Sequence, residues 1–476
     1  MSAGQKWRRL DAIIPVDDWY FGSGGDPLLA IAYSPASNAV GHRRCPRPSA
    51  FVPLLRTSLP AHKVPVRNEP AMSDTTPEQP RILVVGSGTR FLSGISVYTL
   101  RLANALAAAG AHASLLTMRQ LLPTRFYPGR SRVGADLTDL ERDPRVRAFD
   151  GVDWYWLPSM LRAVRFFLRE RPEVMVLQWW SGTVLHSYLA LSLLARLRGT
   201  KVVIEFHEVL DTGELRLPLV KPYTALIGSM VVRLADAFVV HSDFDRDLLT
   251  SHYRLGRRPV ELVRLGPFDH YAGSHAEAHE PLRQAPADTV NVLFFGVIRP
   301  YKGLEDLIDA FDQLSADEVQ GFWLTVVGET WEGWTLPEEK IAASRWRDRI
   351  TFVNRYVRDQ ELDGYLSGAD AVVLPYHRSS ISGPLHVAIA YGLPIVITNI
   401  GGNAEAAGDY AGLRLVPAHD PAAIAAQLRL LPASRGRRFS NPYSWTATAA
   451  RYLALTRRLE GEPAAPDGYA EVEGAG

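Results

Sequence analysis

The chain has 476 residues, of which 47% are hydrophobic and 22% are charged, a composition typical of a globular protein long enough for two domains. Lys and Arg number 52 and Asp and Glu number 51, so no basic excess indicates nucleic acid binding. Any anion must therefore be bound by a local site, and we expect a small-molecule partner.

Residues 1–79 are rich in Pro, Ser, Gly and Arg and lack periodicity, so we predict a disordered extension. The basic start near Lys6 is not followed by an apolar signal region, and no later stretch approaches about 18 apolar residues. The single cysteine, Cys45, cannot form an internal disulfide, which fits a reducing compartment. We therefore predict a cytoplasmic protein. Met72 stands just before the polar lead-in to the first strand, and we hypothesise that translation begins there.

From Arg81 onward, short apolar runs alternate with amphipathic segments, a pattern typical of a parallel sheet with crossover helices. The first strand, residues 82–85, runs into the loop Gly86-Ser87-Gly88, and the next helix ends near Gly110. The pattern predicts a doubly wound, Rossmann-like domain over residues 80–285, with further strands at 174–177, 202–206 and 237–240.

Within this half, residues 161–171 form a basic amphipathic segment that places Arg162, Arg165 and Arg169 on one helical face. Such a face can rest on anionic lipid, which would make the protein peripheral at the inner face of the membrane. The alternative is a solvated basic face above an apolar stripe that packs on the core. The sequence leaves both interpretations open.

A second series of strands and helices begins after a polar interval at residues 272–288. It predicts a second Rossmann-like domain over residues 286–440, a helix over 441–460 and a disordered tail over 461–476. The fold class is therefore α/β, with two tandem doubly wound parallel-sheet domains facing a cleft in which ligands bind at the carboxyl ends of the strands. The predicted strands of the second domain are 290–295, 323–327, 350–353, 371–374 and 395–398.

The strongest local signal follows the strand at 290–295, where Gly296 precedes Arg299, Lys302 and Gly303 and a helix comes next. Two cations at a strand end, with glycines that let the backbone approach a ligand, suit a diphosphate. The alternative is a solvated loop with surface cations.

Two further loops lie between a strand and a helix. In the first, Ser382 and Gly383 precede Leu385 at a predicted helix start, where backbone N–H groups can bind an anion, although helix capping alone explains the serine equally well. In the second, Gly401-Gly402 brings the carboxylate of Glu405 to the same sheet edge.

Taken in order, these motifs resemble those of the family 4 retaining glycosyltransferases of GT-B fold, the glycosyl transferases of group 1, over about residues 81–460. That family carries a glycine loop after the first strand, a His after a later strand, an Arg and a Lys around a Gly-rich turn, and a final Gly-Gly-x-x-Glu. The matching residues here are Gly88 with Ser93-Gly94, His207, Arg299 with Lys302-Gly303, and Glu405.

The resemblance implies a role for each matched position. Arg299 and Lys302 would bind the leaving diphosphate and act in catalysis with His207, which would face the transferred sugar. The helix at 441–460 would cross back onto the first domain. The residues that the resemblance assigns to the donor are Gly296, Arg299, Lys302, Gly303, Gly328, Glu329, Asn354, Ser382, Gly383, Leu385 and Glu405.

The sequence departs from the family pattern in two places. The family's paired glutamates are missing, and Ser379 and Val387 stand in their positions. The residue after the loop glycine Gly296 is Val297, and the usual arginine appears at Arg299. We interpret the chain as a subfamily variant in which the sugar and ribose contacts of those glutamates are made otherwise or are absent.

Loops of the first domain are expected to select the acceptor. The residues concerned follow strands of that domain, and they are Ser93, Gly94, Trp179, Trp180, Glu208 and Asp211. Aromatic rings stack on sugar faces, but paired tryptophans are as often core packing, and acidic loops are as often merely solvated.

The expected reaction is transfer of a hexose from a nucleoside diphosphate sugar to an acceptor hydroxyl, with retention, in polysaccharide or glycolipid biosynthesis. The donor would be GDP-mannose or a UDP-sugar, and we predict neither a cofactor nor a metal. Two alternatives remain: a degenerate module that binds a sugar nucleotide without turnover, as the missing glutamates suggest, and a nucleotide-sugar 2-epimerase. The oligomeric state is not predicted.

Overall fold

A computed structural model describes residues 79–88, 94–120, 140–153, 157–209, 220–270, 282, 285–330, 334–379 and 382–461. The predicted N-terminal extension lies outside the described residues apart from Gln79, and the predicted tail lies outside them apart from Gly461. One compact unit begins at Gln79 and contains two parallel sheets. No helix in the described part of the chain is both long and apolar enough to cross a membrane.

The first sheet has seven parallel strands in the order β3-β2-β1-β4-β5-β6-β7. The four strands predicted from the sequence are confirmed, while β2, β3 and β7 were not identified. The strands are β1 (Arg81–Ser87), β2 (His112–Gln120), β3 (Arg147–Asp153), β4 (Val174–Trp179), β5 (Lys201–Phe206), β6 (Ala237–Val240) and β7 (Val260–Leu262).

Helices cover both faces of this sheet. Along β1, Ile82 and Val84 belong to one apolar core, and Leu83 and Val85 belong to another. Because successive strand residues point to opposite faces, this alternation places one core on each side of the sheet, as a doubly wound fold requires. The helices are α1 (Gly94–Ala108), α2 (Leu157–Glu170), α3 (Leu185–Arg198), α4 (Val220–Leu234) and α5 (Asp243–His252).

The second sheet has six parallel strands in the order β10-β9-β8-β11-β12-β13. All but β13 were predicted. The strands are β8 (Val290–Phe295), β9 (Phe322–Val327), β10 (Ile350–Val353), β11 (Ala371–Leu374), β12 (Ile395–Thr398) and β13 (Leu413–Val416). The helices are α6 (Leu304–Asp312), α7 (Leu336–Ala343), α8 (Asp359–Ser367), α9 (Gly383–Ala390), α10 (Asn403–Ala406) and α11 (Pro421–Leu428).

Both sheets reverse their strand order beside their first strand, between β1 and β4 and between β8 and β11. Loops on the two sides of such a reversal turn away from each other and leave a crevice at the carboxyl edge of the sheet. In the second sheet, the loops after β8 and β11 flank that crevice, and these carry the predicted phosphate-binding residues.

The last helix, α12 (Trp445–Glu460), packs against the first half of the chain. Trp445 Nε1 donates to the carbonyl of Pro267 at 2.8 Å, and its ring lies 5.2 Å from that of Tyr98 in α1. Tyr452 is 2% exposed and lies in the same core as α1. The chain therefore returns to the first sheet after completing the second.

Candidate functional site

The loops after β8 and β9 pack directly against each other. Gly296 N–H donates to the carbonyl of Val327 at 3.0 Å, and Ile298 N–H donates to that of Glu329 at 2.9 Å. Gly328 has a φ of +148°, and a Cβ built on it would lie 2.0 Å from the carbonyl oxygen of Gly296. Only glycine fits there, so this close crossing fixes the backbone from which the Arg299–Lys302 segment departs.

Lys302 ends the short turn Pro300–Lys302, and its side chain turns inward, where it is only 8% exposed. Its Nζ lies 5.5 Å from the centre of the Tyr376 ring and 3.1 Å from the point that a Cβ on Gly296 would occupy. Burial, together with the charge of Arg299, lowers the pKa of Lys302 to about 7. No carboxylate pairs with Lys302 among the described residues, so the pocket holds a buried amine without a counter-ion.

The Arg299 side chain lies beside Tyr301 in the loop after β8. Burial raises the pKa of Tyr301, the neighbouring Arg299 and Arg378 lower it, and Glu208 raises it. Glu208 belongs to the first half of the chain and comes directly after His207, which follows β5. The charge of the predicted acceptor-side residue Glu208 thus acts on Tyr301 in the predicted phosphate loop.

The start of α9 lies against the same pocket. A Cβ built on Gly296 would lie 3.6 Å from Cγ of Pro384, in the first turn of α9. Ser382 is the N-cap, and its hydroxyl accepts from the N–H of Leu385 at 3.2 Å. The Leu385 side chain is fully buried. The capping interpretation therefore describes Ser382, whose hydroxyl engages the N–H of Leu385, and the predicted phosphate contact of Leu385 stays a prediction.

Gly383 keeps its predicted place at this helix start. A Cβ on Gly383 would meet nothing within 4 Å, so the space in front of it is open. Pro384 has no N–H, and no hydrogen bond of the Gly383 N–H occurs within the described ranges. Gly383 is thus the residue of this helix start whose N–H can still bind a phosphate oxygen.

Asn354 binds Thr330, which follows Gly328 and Glu329 in the loop after β9. Its side-chain oxygen accepts from both the N–H and the hydroxyl of Thr330, at 2.9 and 3.1 Å. Asn354 therefore holds the backbone that follows Gly328 and Glu329, and the predicted donor contacts of Asn354 and Glu329 stay predictions.

A buried hydrogen-bond chain lies behind His207. The register of the first sheet pairs Gln178 with Glu205 on neighbouring strands. Gln178 donates its amide N–H to the Glu205 carboxylate, and its amide oxygen contacts His207 Nε2. Because an amide oxygen only accepts, His207 must carry its proton on Nε2.

His241 completes this chain on the far side of Glu205. Its Nδ1 must donate to the carbonyl of Val263, at 2.8 Å, and its Nε2 lies 3.4 Å from Glu205 Oε1. Neither of these two atoms makes a hydrogen bond within the described residues, although both are buried. The neighbouring Glu205 also raises the pKa of the buried Tyr98 and Tyr452 hydroxyls, after burial itself.

The consequence for His207 is a neutral imidazole of defined tautomer. Burial, together with the charge of His241, holds the pKa of His207 well below its usual range. Its Nδ1 then presents a lone pair and makes no hydrogen bond within the part of the chain described. His207 can therefore accept a hydrogen bond from a ligand hydroxyl but cannot supply a positive charge.

Glu405 lies between the two halves of the chain. Its Oε2 accepts from the N–H of Phe244, in the first turn of α5, at 3.0 Å. Burial raises the pKa of nearby Asp245 to about 6, and the charge of Glu405 adds to this increase, although the Ser242 hydroxyl and His241 oppose it. In this conformation Glu405 caps a helix of the first half, and its predicted donor contact stays a prediction.

The acceptor-side predictions divide according to burial. Trp179 is 5% exposed and packs on Phe206 and Tyr253, with ring centres 5.0 and 6.3 Å away. It is a core residue that offers no face to a sugar, so the core-packing alternative describes it. Trp180 is only half-buried against Tyr188 and stays a prediction.

Four other positions remain, namely three acceptor-side predictions and one position of the missing glutamates. Gly94 is exposed at the start of α1, whereas Ser93 and Asp211 lie outside the described residues. Val387, which stands where the family has a glutamate, is 4% exposed within the core and cannot replace a ribose contact.

Sequence reasoning missed Glu205, His241 and Tyr376. All three are almost fully buried, at 0%, 1% and 2% exposure. Glu205 lies inside an apolar strand, where a carboxylate would need a partner, and that anomaly was the one signal that could have drawn attention to it.

Two family models match the chain, one in each half. The model described as "Glycosyl transferases group 1" matches residues 289–433, and the "Glycosyl transferase 4-like domain" matches residues 93–266. The second half therefore matches one model over the Arg299–Lys302 loop and α9, and the first half matches the other over His207.

Among characterised proteins, the chain is similar to the D-inositol 3-phosphate glycosyltransferase of Streptomyces avermitilis, with 27% identity over 407 residues. The match covers 77% of this chain and 84% of that protein. Among solved structures, sucrose-phosphate synthase from Thermosynechococcus elongatus gives a TM-score of 0.58 at 18% identity, covering 80% of this chain and 99% of that one. The structure of HepE of Anabaena in complex with UDP gives a TM-score of 0.52 at 13% identity, and the match covers 79% of this chain and 95% of that one. These likenesses support the two-domain GT-B fold.

Proposed function

This chain belongs to the glycosyl transferases of group 1, and we propose that it moves a hexose from a nucleoside diphosphate sugar to an acceptor hydroxyl with retention of anomeric configuration. The observation that carries the proposal is Lys302, an amine that is 8% exposed beside Arg299 and lacks an acidic partner in the described residues. Buried charges are ordinarily paired. The missing anion is supplied when the diphosphate of the donor binds.

The surroundings of Lys302 fit a diphosphate. Arg299 adds a second cation, Gly383 presents a backbone N–H at the start of α9, and Gly296 leaves room next to the amine. In the transfer, the bond between the anomeric carbon and the diphosphate breaks and the acceptor oxygen bonds to that carbon from the same face. The acceptor proton passes to the leaving phosphate oxygen, so the reaction needs no separate base. Arg299 and Lys302 stabilise the negative charge that develops on the leaving group.

His207 positions the transferred sugar in this account. Its Nδ1 lone pair accepts a hydrogen bond from a sugar hydroxyl, while Gln178 holds Nε2. A neutral imidazole suits this task because a charged one would compete with the phosphate-binding cations.

The test is turnover by the full chain with GDP-mannose and UDP-sugars in the presence of simple glycoside acceptors. Lys302→Ala should raise the activation free energy by about 3 kcal/mol, which lowers the rate about a hundredfold. Lys340→Ala is the matched control, because Lys340 forms a surface pair with Asp309 (2.5 Å) outside the pocket. Proton NMR of the new linkage reports its configuration, and an inverted product would refute retention. A free epimer formed without acceptor would support the epimerase alternative instead.

The acceptor is proposed to be a growing polysaccharide or glycolipid at an anionic membrane surface. In α2, the leucines at 157, 161 and 168 are 59%, 60% and 37% exposed and lie on one helical face. Arg162, Arg165 and Arg169 are exposed beside them. Exposed leucines flanked by arginines suit the interface of an anionic bilayer, where each cation contributes about 1 kcal/mol.

Vesicle flotation tests this peripheral contact. Full-length protein should float with anionic vesicles, and replacing Arg162, Arg165 and Arg169 by Gln should abolish flotation. Replacing Arg345, Arg347 and Arg349 removes the same charge elsewhere and should leave flotation unchanged. Equal binding by both triple variants would contradict a role for α2.

A further inference from the structure

Three metal-ligating side chains converge behind the Arg299–Lys302 loop, and we call them the His377 cluster: Asp306, His377 and His419. One donor atom from each lies within 4.8 Å of the other two. They come from separate elements, namely the first turn of α6 and the segments that follow β11 and β13. Because these elements meet at the carboxyl edge of the second sheet, the fold itself brings the three side chains together.

The donor atoms of the cluster bracket the spacing of a coordination shell, because His377 and Asp306 are hydrogen-bonded and no pair of donor atoms is more than 4.8 Å apart. His377 Nε2 lies 2.8 Å from Asp306 Oδ2, and the ring centres of His377 and His419 are 3.8 Å apart with a tilt of 30°. Ligands bound about 2.0–2.2 Å from a tetrahedral ion are separated by about 3.4 Å from one another. Small side-chain rotations therefore suffice to aim all three donors at one point.

A carboxylate also stands behind His377, as metal-binding histidines commonly require. Glu305 Oε1 lies 4.0 Å from His377 Nδ1, the nitrogen opposite the one that faces Asp306. The other oxygen of Glu305, Oε2, is buried without a hydrogen-bond partner within the described residues. A proton on Nδ1 that points to Glu305 would leave the Nε2 lone pair free for an ion.

His419 has an unusual backbone for its residue type. Its φ is +56°, in the left-handed region that non-glycine residues seldom adopt. The next residue, Asp420, is the N-cap of α11 and accepts from Ala423 N–H at 2.8 Å, which fixes the chain at this point. Backbone strain of this kind clusters at ligand sites. Here its effect is to direct the imidazole of His419 against that of His377.

We propose that Asp306, His377 and His419 bind one Zn²⁺-like divalent cation, with Glu305 orienting His377. Two imidazole nitrogens and one carboxylate oxygen suit borderline ions such as Zn²⁺ or Co²⁺, whereas Mg²⁺ and Ca²⁺ prefer oxygen ligands alone. The exposed position of His419 gives the ion access from solvent and leaves a coordination position for water.

The site would brace the loop that carries Lys302. His377 N–H donates to the carbonyl of Tyr301 at 2.8 Å, and a Cβ on Gly303 would lie 2.8 Å from His377 Nε2. An ion bound to His377 therefore restrains the segment from Arg299 to Gly303. This consequence rests on the proposed function, because it predicts that the ion and the nucleotide sugar strengthen each other's binding.

Metal binding is measured first without any nucleotide, so its outcome does not depend on the proposed function. Full-length protein, prepared without a histidine tag, is titrated with ZnCl₂ by calorimetry, and one ion per chain is expected. Co²⁺ should produce the visible absorption of a tetrahedral site. His419→Asn removes the imidazole but tolerates the left-handed backbone, so folding is retained and the affinity should fall more than tenfold. Glu305→Gln should weaken binding by about 10- to 100-fold.

His112 is exposed elsewhere, so His112→Ala is the control for adventitious histidine binding and should leave the affinity unchanged. The rival explanation is an ion pair of His377 with Asp306 and a stacked His419, with no metal. Failure of Zn²⁺ to bind, or equal affinity in wild type and His419→Asn, would overturn the proposal. A Zn²⁺ site without any effect on nucleotide-sugar affinity would overturn only the coupling.

Discussion

Raising the pH from 7 to 9 should weaken binding of the nucleotide sugar through a single group, Lys302. Burial, together with Arg299, lowers the pKa of Lys302 from 10.5 to about 7, so the amine is about half protonated at pH 7 and about 1% protonated at pH 9. If the diphosphate binds the charged form, the affinity falls about 50-fold over this range, which corresponds to about 2.3 kcal/mol.

Calorimetric titration at pH 7, 8 and 9 measures this loss. A nucleotide sugar is the right ligand because its diphosphate is esterified at both ends and keeps its charge over the range. Lys302→Met, which removes the amine at similar length, should bind weakly and independently of pH, and wild type should approach it at pH 9. Affinity that stays constant from pH 7 to 9 in wild type would refute the reasoning.

The pH dependence of the free energy of unfolding distinguishes weaker binding from loss of folded protein. Between pH 7 and 10.5 the unfolded chain retains a proton on Lys302 that the folded chain has lost. This group therefore makes the free energy of unfolding rise with pH in that window for the ligand-free protein. Weaker binding at pH 9 cannot then be attributed to loss of folded protein through Lys302.

Gly303→Ala should lower the free energy of unfolding by more than about 2 kcal/mol, because a Cβ there would lie 2.0 Å from the carbonyl of Pro375 at a φ of +61°. Gly436→Ala, at a φ of +71° with open space, isolates the backbone cost and should lose only about 1 kcal/mol in the same urea titration; equal losses would contradict the clash. Glu205→Gln replaces the buried carboxylate that accepts from Gln178 and should lower the free energy of unfolding by about 2 kcal/mol, and nitrogen-15 NMR of the imidazoles should show a mixture of His207 tautomers instead of one. Glu405→Ala removes the contact to the start of α5 and should cost about 1 kcal/mol by urea titration, whereas an unchanged midpoint would show that the cap contributes nothing.

The sequence indicated the central strands well because they are buried on both faces and therefore read as continuous apolar runs. The ranges predicted for β8 and β11, for example, agree with the structure at both ends. The strands it missed lack such runs. β3 is an edge strand whose first residues are exposed, and β2 is interrupted by the buried polar residues Ser114 and Thr117.

The candidate site was predictable only where its residues follow one another along the chain. Arg299 and Lys302 could be placed at a strand end from local pattern, and the structure brings them together. The inward turn of Lys302 could not be foreseen, because it depends on Tyr376 and on the start of α9, which are distant in sequence.

The tautomer of His207 could not be predicted from the local sequence either. Its tautomer follows from Gln178, and Gln178 is oriented by Glu205 on the neighbouring strand. Tyr452, which lies near the same carboxylate, arrives only because α12 returns to the first half. Hydrogen-bond chains of this kind assemble from several elements, so single-sequence reasoning identifies their members one at a time or not at all.

The most direct test of the central claim is calorimetric titration of full-length wild-type and Lys302→Ala protein with GDP-, UDP- and ADP-sugars. We predict that one nucleotide class binds to wild type and that the variant, still folded, binds it about a hundredfold more weakly. Equal affinity for the variant, or no binding of any nucleotide sugar to wild type, would contradict the account.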